Sequence, residues 1–168
     1  MKKSEAIRAK SSIQLMQERY EYWDRVPYPG LVVNNRPCCT NMDITEVGDY
    51  VVYLVRDPFA GYGKNPADSF AELLEDARCI GDSGMFRSYT GYYKGAKVTC
   101  VCGGSGNPEV ELAINDFMEY TNASAFIRVG TSGGVAEKVR AGDCVITTGV
   151  FREDGTSRAY IGDGFPAA

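Results

Sequence analysis

The stretch Ser124 to Gly134, SAFIRVGTSGG, limits the fold more than any other part of the chain. Ala125, Phe126, Ile127 and Val129 form a short apolar run of the kind required by a strand buried on both faces of a parallel sheet. It runs directly into the glycine-rich turn Gly130-Thr131-Ser132-Gly133-Gly134. In open α/β sheets, ligands sit beyond the carboxyl ends of such strands. The turn can present several backbone N–H groups and two hydroxyls, and Arg128 adds a cation one step behind them, so the cluster suits an anion. Spacing alone also permits a plain β-turn with a surface arginine at its edge.

The same order recurs upstream. Lys97 to Cys102 reads as a strand, Gly103-Gly104-Ser105-Gly106-Asn107-Pro108 as a glycine loop, and Val110, Ala113, Ile114, Phe117 and Met118 fall at helical spacing. A G-x-G-x-x-G dinucleotide fingerprint would put its third glycine at Glu109, a poor neighbour for pyrophosphate, so no nicotinamide cofactor is expected. Tyr50 to Val55 reads as an inner strand. Asn65 and Pro66 open a helix whose stripe, Phe70, Leu73, Leu74 and Ala77, carries it to about Arg78. Met85 to Tyr93 and Lys97 to Cys102 form a hairpin turning at Lys94-Gly95-Ala96.

Elsewhere the reading is coarser. Leu31 to Val33 is a short strand, Asn34-Asn35-Arg36-Pro37 a turn, Cys144 to Val150 a strand, and Arg152-Glu153-Asp154-Gly155 a further turn. Ser4 to Trp23 reads as a surface helix stopped by Pro27 and Pro29-Gly30. Its aromatic end, Tyr20, Tyr22 and Trp23, also suits an oligomer contact or a lid. The division is an N-terminal helical extension over 1–40 and one domain over 41–168.

Composition removes several function classes. The net charge of -4 argues against a nucleic-acid surface, and the chain's 168 residues contain no apolar run of bilayer length. The start, MKKSEAIRAK, has charge but no apolar segment behind it, so a cytoplasmic location is expected. There is no histidine, which excludes Ser-His-Asp and Cys-His catalysis and a histidine base. The six cysteines lack C-x-x-C pairing and read as buried thiols, with Cys100 and Cys102 on one strand face; no metal site is expected.

Arg128-Val129-Gly130-Thr131-Ser132-Gly133-Gly134, followed by Ala141-Gly142-Asp143-Cys144-Val145-Ile146-Thr147-Thr148, resembles the central signature of the nucleoside phosphorylase family, nearest its uridine phosphorylase branch. Tyr89-Thr90-Gly91-Tyr92-Tyr93-Lys94-Gly95 resembles the family's hairpin, and Gly104, Gly106 and Pro108 its second glycine loop. Gly48-Asp49-Tyr50-Val51-Val52 and Asp57-Pro58 resemble its first strand and phosphate loop. The similarity covers roughly Asn41 to Pro166. It implies a three-layer α/β/α fold with a mixed, twisted sheet, lacking the family's C-terminal part.

By that resemblance the reaction is phosphorolysis of a nucleoside, uridine favoured, to free base and pentose 1-phosphate. Arg128, Gly130 and Thr131 would hold phosphate, Arg128 and Thr131 would be catalytic, and Thr131, Ser132 and Gly133 would face the nucleoside. Inorganic phosphate would be the co-substrate, with no cofactor, and a homo-oligomer is implied. The chain departs from the family at several positions. Arg56 stands where the phosphate loop has glycine and could supply a cation or plug the pocket. Gly84 stands where an arginine serves the neighbouring subunit, with Arg87 three residues on as a second substitute. Met42 lies near the place of a ribose-binding histidine, and the family's later base- and ribose-contacting segments are not present in the sequence. Two other readings therefore stay open: a noncatalytic nucleoside- or anion-binding module or inactive fragment, and a hydrolytic nucleosidase.

Overall fold

The computed structural model describes residues 32–56 and 63–160. The helix expected at Ser4–Trp23, Leu31, residues 57–62 with the Asp57-Pro58 of the expected phosphate loop, and the last eight residues lie outside them.

The described chain opens with a small hairpin, β1 (Val32–Val33) and β2 (Arg36–Pro37). Asn34 and Asn35 turn it with φ of 52° and 60°, the left-handed pair that a two-residue hairpin needs and that asparagine tolerates. Arg36-Pro37 is therefore strand, where the sequence suggested turn. After a short 3-10 turn at Ile44–Glu46 come β3 (Tyr50–Val55), α1 (Pro66–Ala71), β4 (Glu75–Asp82), β5 (Arg87–Tyr93), β6 (Ala96–Gly103), α2 (Asn107–Tyr120), β7 (Ala125–Val129) and α3 (Gly155–Tyr160).

The main sheet runs β4-β5-β6-β3-β7. β6 and β7 flank β3 in parallel, while β4-β5 and β5-β6 are antiparallel, so the sheet is mixed. Lys94 and Gly95 close the β5–β6 hairpin, both at positive φ, as a two-residue turn demands and as glycine adopts without strain. Strand alternation sends Val51, Tyr53 and Val101 to one face, where they pack with Met42, Ile80, Phe86 and the α2 residues Ala113 and Phe117. Leu54, Cys100 and Cys102 go to the other, against Ala67 and Phe70 of α1. The result is the expected three layers, helix on sheet on helix.

Four expectations are corrected. The first helix stops at Ala71, not near Arg78: Leu73 and Leu74 donate back to the Phe70 and Ala71 carbonyls in a tight final turn. The chain then re-enters the sheet as β4, an unforeseen strand, in space left by Gly91. A Cβ at Gly91 would lie 2.8 Å from both Glu75 O and Leu74 Cβ. Secondly, β7 is not buried on both faces: it lies at one edge of the described sheet, opposite β4, and Ile127 is 60% exposed. Thirdly, Cys144–Val150 forms no strand, with Ile146 85% exposed. Lastly, only Cys100 and Cys102 are buried thiols; Cys38, Cys79 and Cys144 are exposed because they lie on a turn, the edge strand β4 and irregular chain. The turn at Arg152–Gly155 ends in the short helix α3, with Asp154 accepting from the Ser157 N–H at 2.8 Å. Among the described residues, no helix is long and apolar enough to cross a membrane.

Candidate functional site

Because β6, β3 and β7 are parallel and adjacent, their carboxyl ends form one rim. The glycine loop 103–106 leaves β6, Arg56 follows β3, and the turn 130–134 leaves β7. Arg56 still extends the ladder, its N–H donating to Gly103 O at 2.8 Å. This is where an α/β sheet offers backbone donors to a ligand.

Arg128 pairs in register with Tyr53, so both side chains project on the α2 side of the sheet. The Arg128 guanidinium reaches across the rim and donates from Nη2 to Ser105 O at 3.3 Å, in an exposed position. Gly130 brings β7 tight against β3: a Cβ there would lie 3.0 Å from Val55 Cγ2 and 3.5 Å from Arg128 Nη1. Arg128 thus spans the two glycine segments. Thr131, Ser132, Gly133 and Gly134 are exposed, and space around Gly133 is open, with nothing within 4 Å of where a Cβ would be.

Two residues fix the loop that Arg128 touches. The Tyr53 hydroxyl, at the end of a buried ring, donates to Gly104 O at 2.9 Å. Burial, helped by the nearby Glu109 charge, pushes Tyr53 up to about 12, so it stays a neutral donor. Glu109 folds back from the first turn of α2 and accepts from the Gly106 N–H at 3.3 Å. It lies so close over Gly104 that a Cβ at that glycine would come within 1.8 Å of Glu109 Oε2. Sequence reasoning missed both roles. Glu109 stands three residues after the cap Gly106, the capping-box spacing, and that signal was available; Tyr53 read only as strand core.

The other two arginines are placed differently. Arg87 donates through Nη1 to Asp68 Oδ2 at 2.9 Å and through Nε to Asp82 Oδ2 at 2.9 Å. Tyr89 donates to the same Asp68 at 2.8 Å, and that contact raises the Tyr89 hydroxyl to about 12. Arg87 therefore belongs to the α1 face, engaged by carboxylates. Arg56 also follows the alternation to the α1 side, where its charge and that of Arg87 reach Cys102. Hence the described structure brings Arg128, Gly130 and Thr131 together, and sets Arg56 and Arg87 across the sheet from Arg128.

The sequence profile of the Phosphorylase superfamily matches residues 50–168. The chain belongs to that superfamily. Its resemblance to the uridine phosphorylase branch has counterparts among its relatives. The "Uridine phosphorylase" of Treponema pallidum is 32% identical over 123 residues, 73% of this chain and 45% of that protein. That of Thermococcus kodakarensis is 33% identical over 97 residues, 58% of this chain and 35% of that protein. A "Purine nucleoside phosphorylase DeoD-type" of Clostridium novyi is 33% identical over 86 residues, 51% of this chain and 37% of that protein. A crystal structure of uridine phosphorylase from Vibrio fischeri superposes with TM-score 0.65 at 25% identity, covering 75% of this chain and 49% of that one. This phosphorylase-superfamily chain thus spans less than half the length of these curated relatives.

Proposed function

We propose that this chain carries the phosphate-binding part of a nucleoside phosphorylase, with uridine as the favoured nucleoside. The observation behind the reading is the exposed Arg128 guanidinium beside Gly130 and the open turn at Thr131, on the rim of the parallel strands. A phosphate oxygen would attack the anomeric carbon of the sugar as the glycosidic C–N bond breaks. The electron pair leaves with the base, which is protonated, and a pentose 1-phosphate forms. With no histidine in the chain, positioning and electrostatics carry the step.

In this reading Arg128 grips phosphate with two charge-assisted hydrogen bonds, giving up its contact to Ser105 O, and Thr131 adds its hydroxyl and N–H. Gly130 and Gly133 allow the close approach. Ser132 and Gly133 border the nucleoside. Phosphate is the co-substrate, and no cofactor enters the reaction. Uridine is preferred to a purine nucleoside because the motif order resembles the uridine branch and the Treponema pallidum relative of that name is similar over 123 residues, against 86 for the purine nucleoside phosphorylase of Clostridium novyi. A homo-oligomer and a cytoplasmic location are part of the same proposal.

A second reading, a binding module without turnover, draws on two observations. Arg87 is occupied by Asp68 and Asp82, and the apolar residues of 144–151 are uncovered. The deciding experiment measures uracil release from uridine by the purified chain, with and without phosphate, with inosine as competitor and Arg128→Ala as control. Phosphate-dependent release that is lost in the control supports the phosphorylase. Release without phosphate means a nucleosidase; saturable phosphate binding without release means the module.

A further inference from the structure

Away from the rim, the turn after β2 carries two adjacent cysteines whose sulfurs lie on the same side, Cys38 Sγ 3.8 Å from Cys39 Sγ. In extended chain, neighbouring side chains point apart, so this pairing is a product of the turn. The turn is tied down at several points. Asn41 N–H donates to Pro37 O at 2.8 Å, and Arg36 Nη1 donates to Asn41 O at 2.7 Å and to Ile80 O at 2.8 Å. Thr40 donates from its N–H and its hydroxyl to Asp116 Oδ2 on α2, at 3.0 and 2.8 Å. Cys38 is exposed, and Cys39 is half-buried at the edge of the core beside Asp116. The two sulfurs are therefore held together before any ligand arrives.

Three kinds of partner could join them. A direct disulfide fits poorly, because consecutive Cα atoms lie about 3.8 Å apart across a trans peptide, closer than the roughly 4.4–6.8 Å that disulfides span. Zinc needs four ligands, and among the described residues no three His, Cys, Asp or Glu side chains gather anywhere. A three-coordinate soft centre that brings its own third substituent needs only two sulfurs, and it bridges them without forcing them to bond. It also accepts neutral thiols. Burial, with the Asp116 charge second, pushes the Cys39 thiol up to about 11, which opposes a cation that requires two thiolates.

We propose that Cys38 and Cys39 form a vicinal dithiol site for a monosubstituted trivalent arsenical, both sulfurs closing on one arsenic atom. The step is a condensation. Two S–H bonds and two As–OH bonds break, two As–S bonds form, and two waters leave with the thiol protons; arsenic stays trivalent throughout. Exposed Cys38 bonds first, and Cys39 closes the ring from a distance the turn already sets.

The test treats the full, reduced chain with phenylarsine oxide in excess glutathione and measures intact mass. The expected result is one phenylarsenic group per chain, with Cys38 and Cys39 protected from alkylation while the other four of the six cysteines remain reactive once the chain is unfolded. Excess 2,3-dimercaptopropanol should strip the adduct. Cys38→Ser and Cys39→Ser should each abolish the glutathione-resistant adduct, and Cys100→Ser/Cys102→Ser should keep it. No adduct on the native chain, protection mapping to other cysteines, or an adduct surviving in either single variant would overturn the proposal. The protection map needs no variant, so a misfolded substitution leaves the test intact.

Discussion

The Arg128 guanidinium rests 3.3 Å from the Ser105 carbonyl oxygen, so the cation of one glycine segment is held by the backbone of the other. Among the described residues that contact is exposed and single, and an incoming anion can replace it with two stronger bonds.

Arg128→Ala should therefore weaken phosphate binding by roughly ten- to a hundredfold, as expected for losing a charge-assisted contact of about 1.5–3 kcal/mol. Arg128→Lys should recover only part of this, since lysine keeps the charge and loses the planar fork. Because the side chain is exposed, unfolding free energy should barely change, by about 0.5 kcal/mol or less. Phosphate titration by calorimetry beside urea unfolding checks both halves; a large stability loss with unchanged binding would make Arg128 a structural residue.

Two glycines should separate fold from site in the same way. A Cβ at Gly81 would meet Met42 Cα at 2.5 Å and Asn41 O at 2.6 Å, backbone that has nowhere to go, so Gly81→Ala should cost roughly 3 kcal/mol. Gly133 has open space and no positive φ, so Gly133→Ala should leave stability within about 0.5 kcal/mol. If phosphate must approach that turn closely, the same methyl should weaken phosphate binding severalfold. Unchanged phosphate affinity in folded Gly133→Ala would remove Gly133 from the site.

What was legible in the sequence follows from how local each signal is. The α2 stripe and the Lys94-Gly95 turn depend on neighbours within one turn of chain, and both appear where expected. β4 was hidden because Glu75 to Cys79 are exposed and show no alternation; pairing with β5 makes it a strand, not its own composition. The apolar run of β7 suggested burial on both faces, but strand order is a long-range property and places it at an edge of the described sheet. Cys144–Val150 has strand composition, but among the described residues it forms no strand and only Val150 enters a bridge. At the site, the motif supplied Arg128, Gly130 and Thr131, while Tyr53 and Ser105 become its neighbours only through the parallel register of β3, β6 and β7.

The Thr40–Asp116 link predicts an unusual pH response. Burial raises the Asp116 carboxyl above its ordinary 3.8 despite the two donors from Thr40. A raised folded-state value means the native state binds the proton more tightly than the unfolded chain. The group's contribution is thus fully present below the ordinary value and is lost as pH rises through the raised one. Asp116→Asn keeps an oxygen for both Thr40 donors and removes the buried charge, so it should match or exceed the parent's stability at about pH 7. That advantage should shrink as pH falls toward the ordinary carboxylate value. Asp116→Ala strands both donors and should cost about 1–3 kcal/mol. Urea unfolding of the three proteins across this pH range checks the sign; an Asn variant that loses as much as the Ala variant would mean that the charge itself is needed.

The last prediction concerns the arginines that geometry sets apart. Arg87 is held by Asp68 and Asp82 on the α1 side, and Arg56 points to that side as well, while Arg128 works on the α2 side. Arg87→Met should leave phosphate affinity within about twofold and cost about 1 kcal/mol or less, because the ion pairs are partly exposed and salt-screened. It should also push the Tyr89 hydroxyl further up, since the Arg87 charge opposes the rise that the bond to Asp68 causes. Arg56→Gly should likewise leave phosphate affinity unchanged if Arg128 and the Thr131 turn suffice. A tenfold loss in Arg56→Gly alone would show that the cation after β3 turns over the rim to reach the anion. A comparable loss in Arg87→Met would instead require the carboxylates to release Arg87, which Asp68→Asn with Arg87 retained should then facilitate.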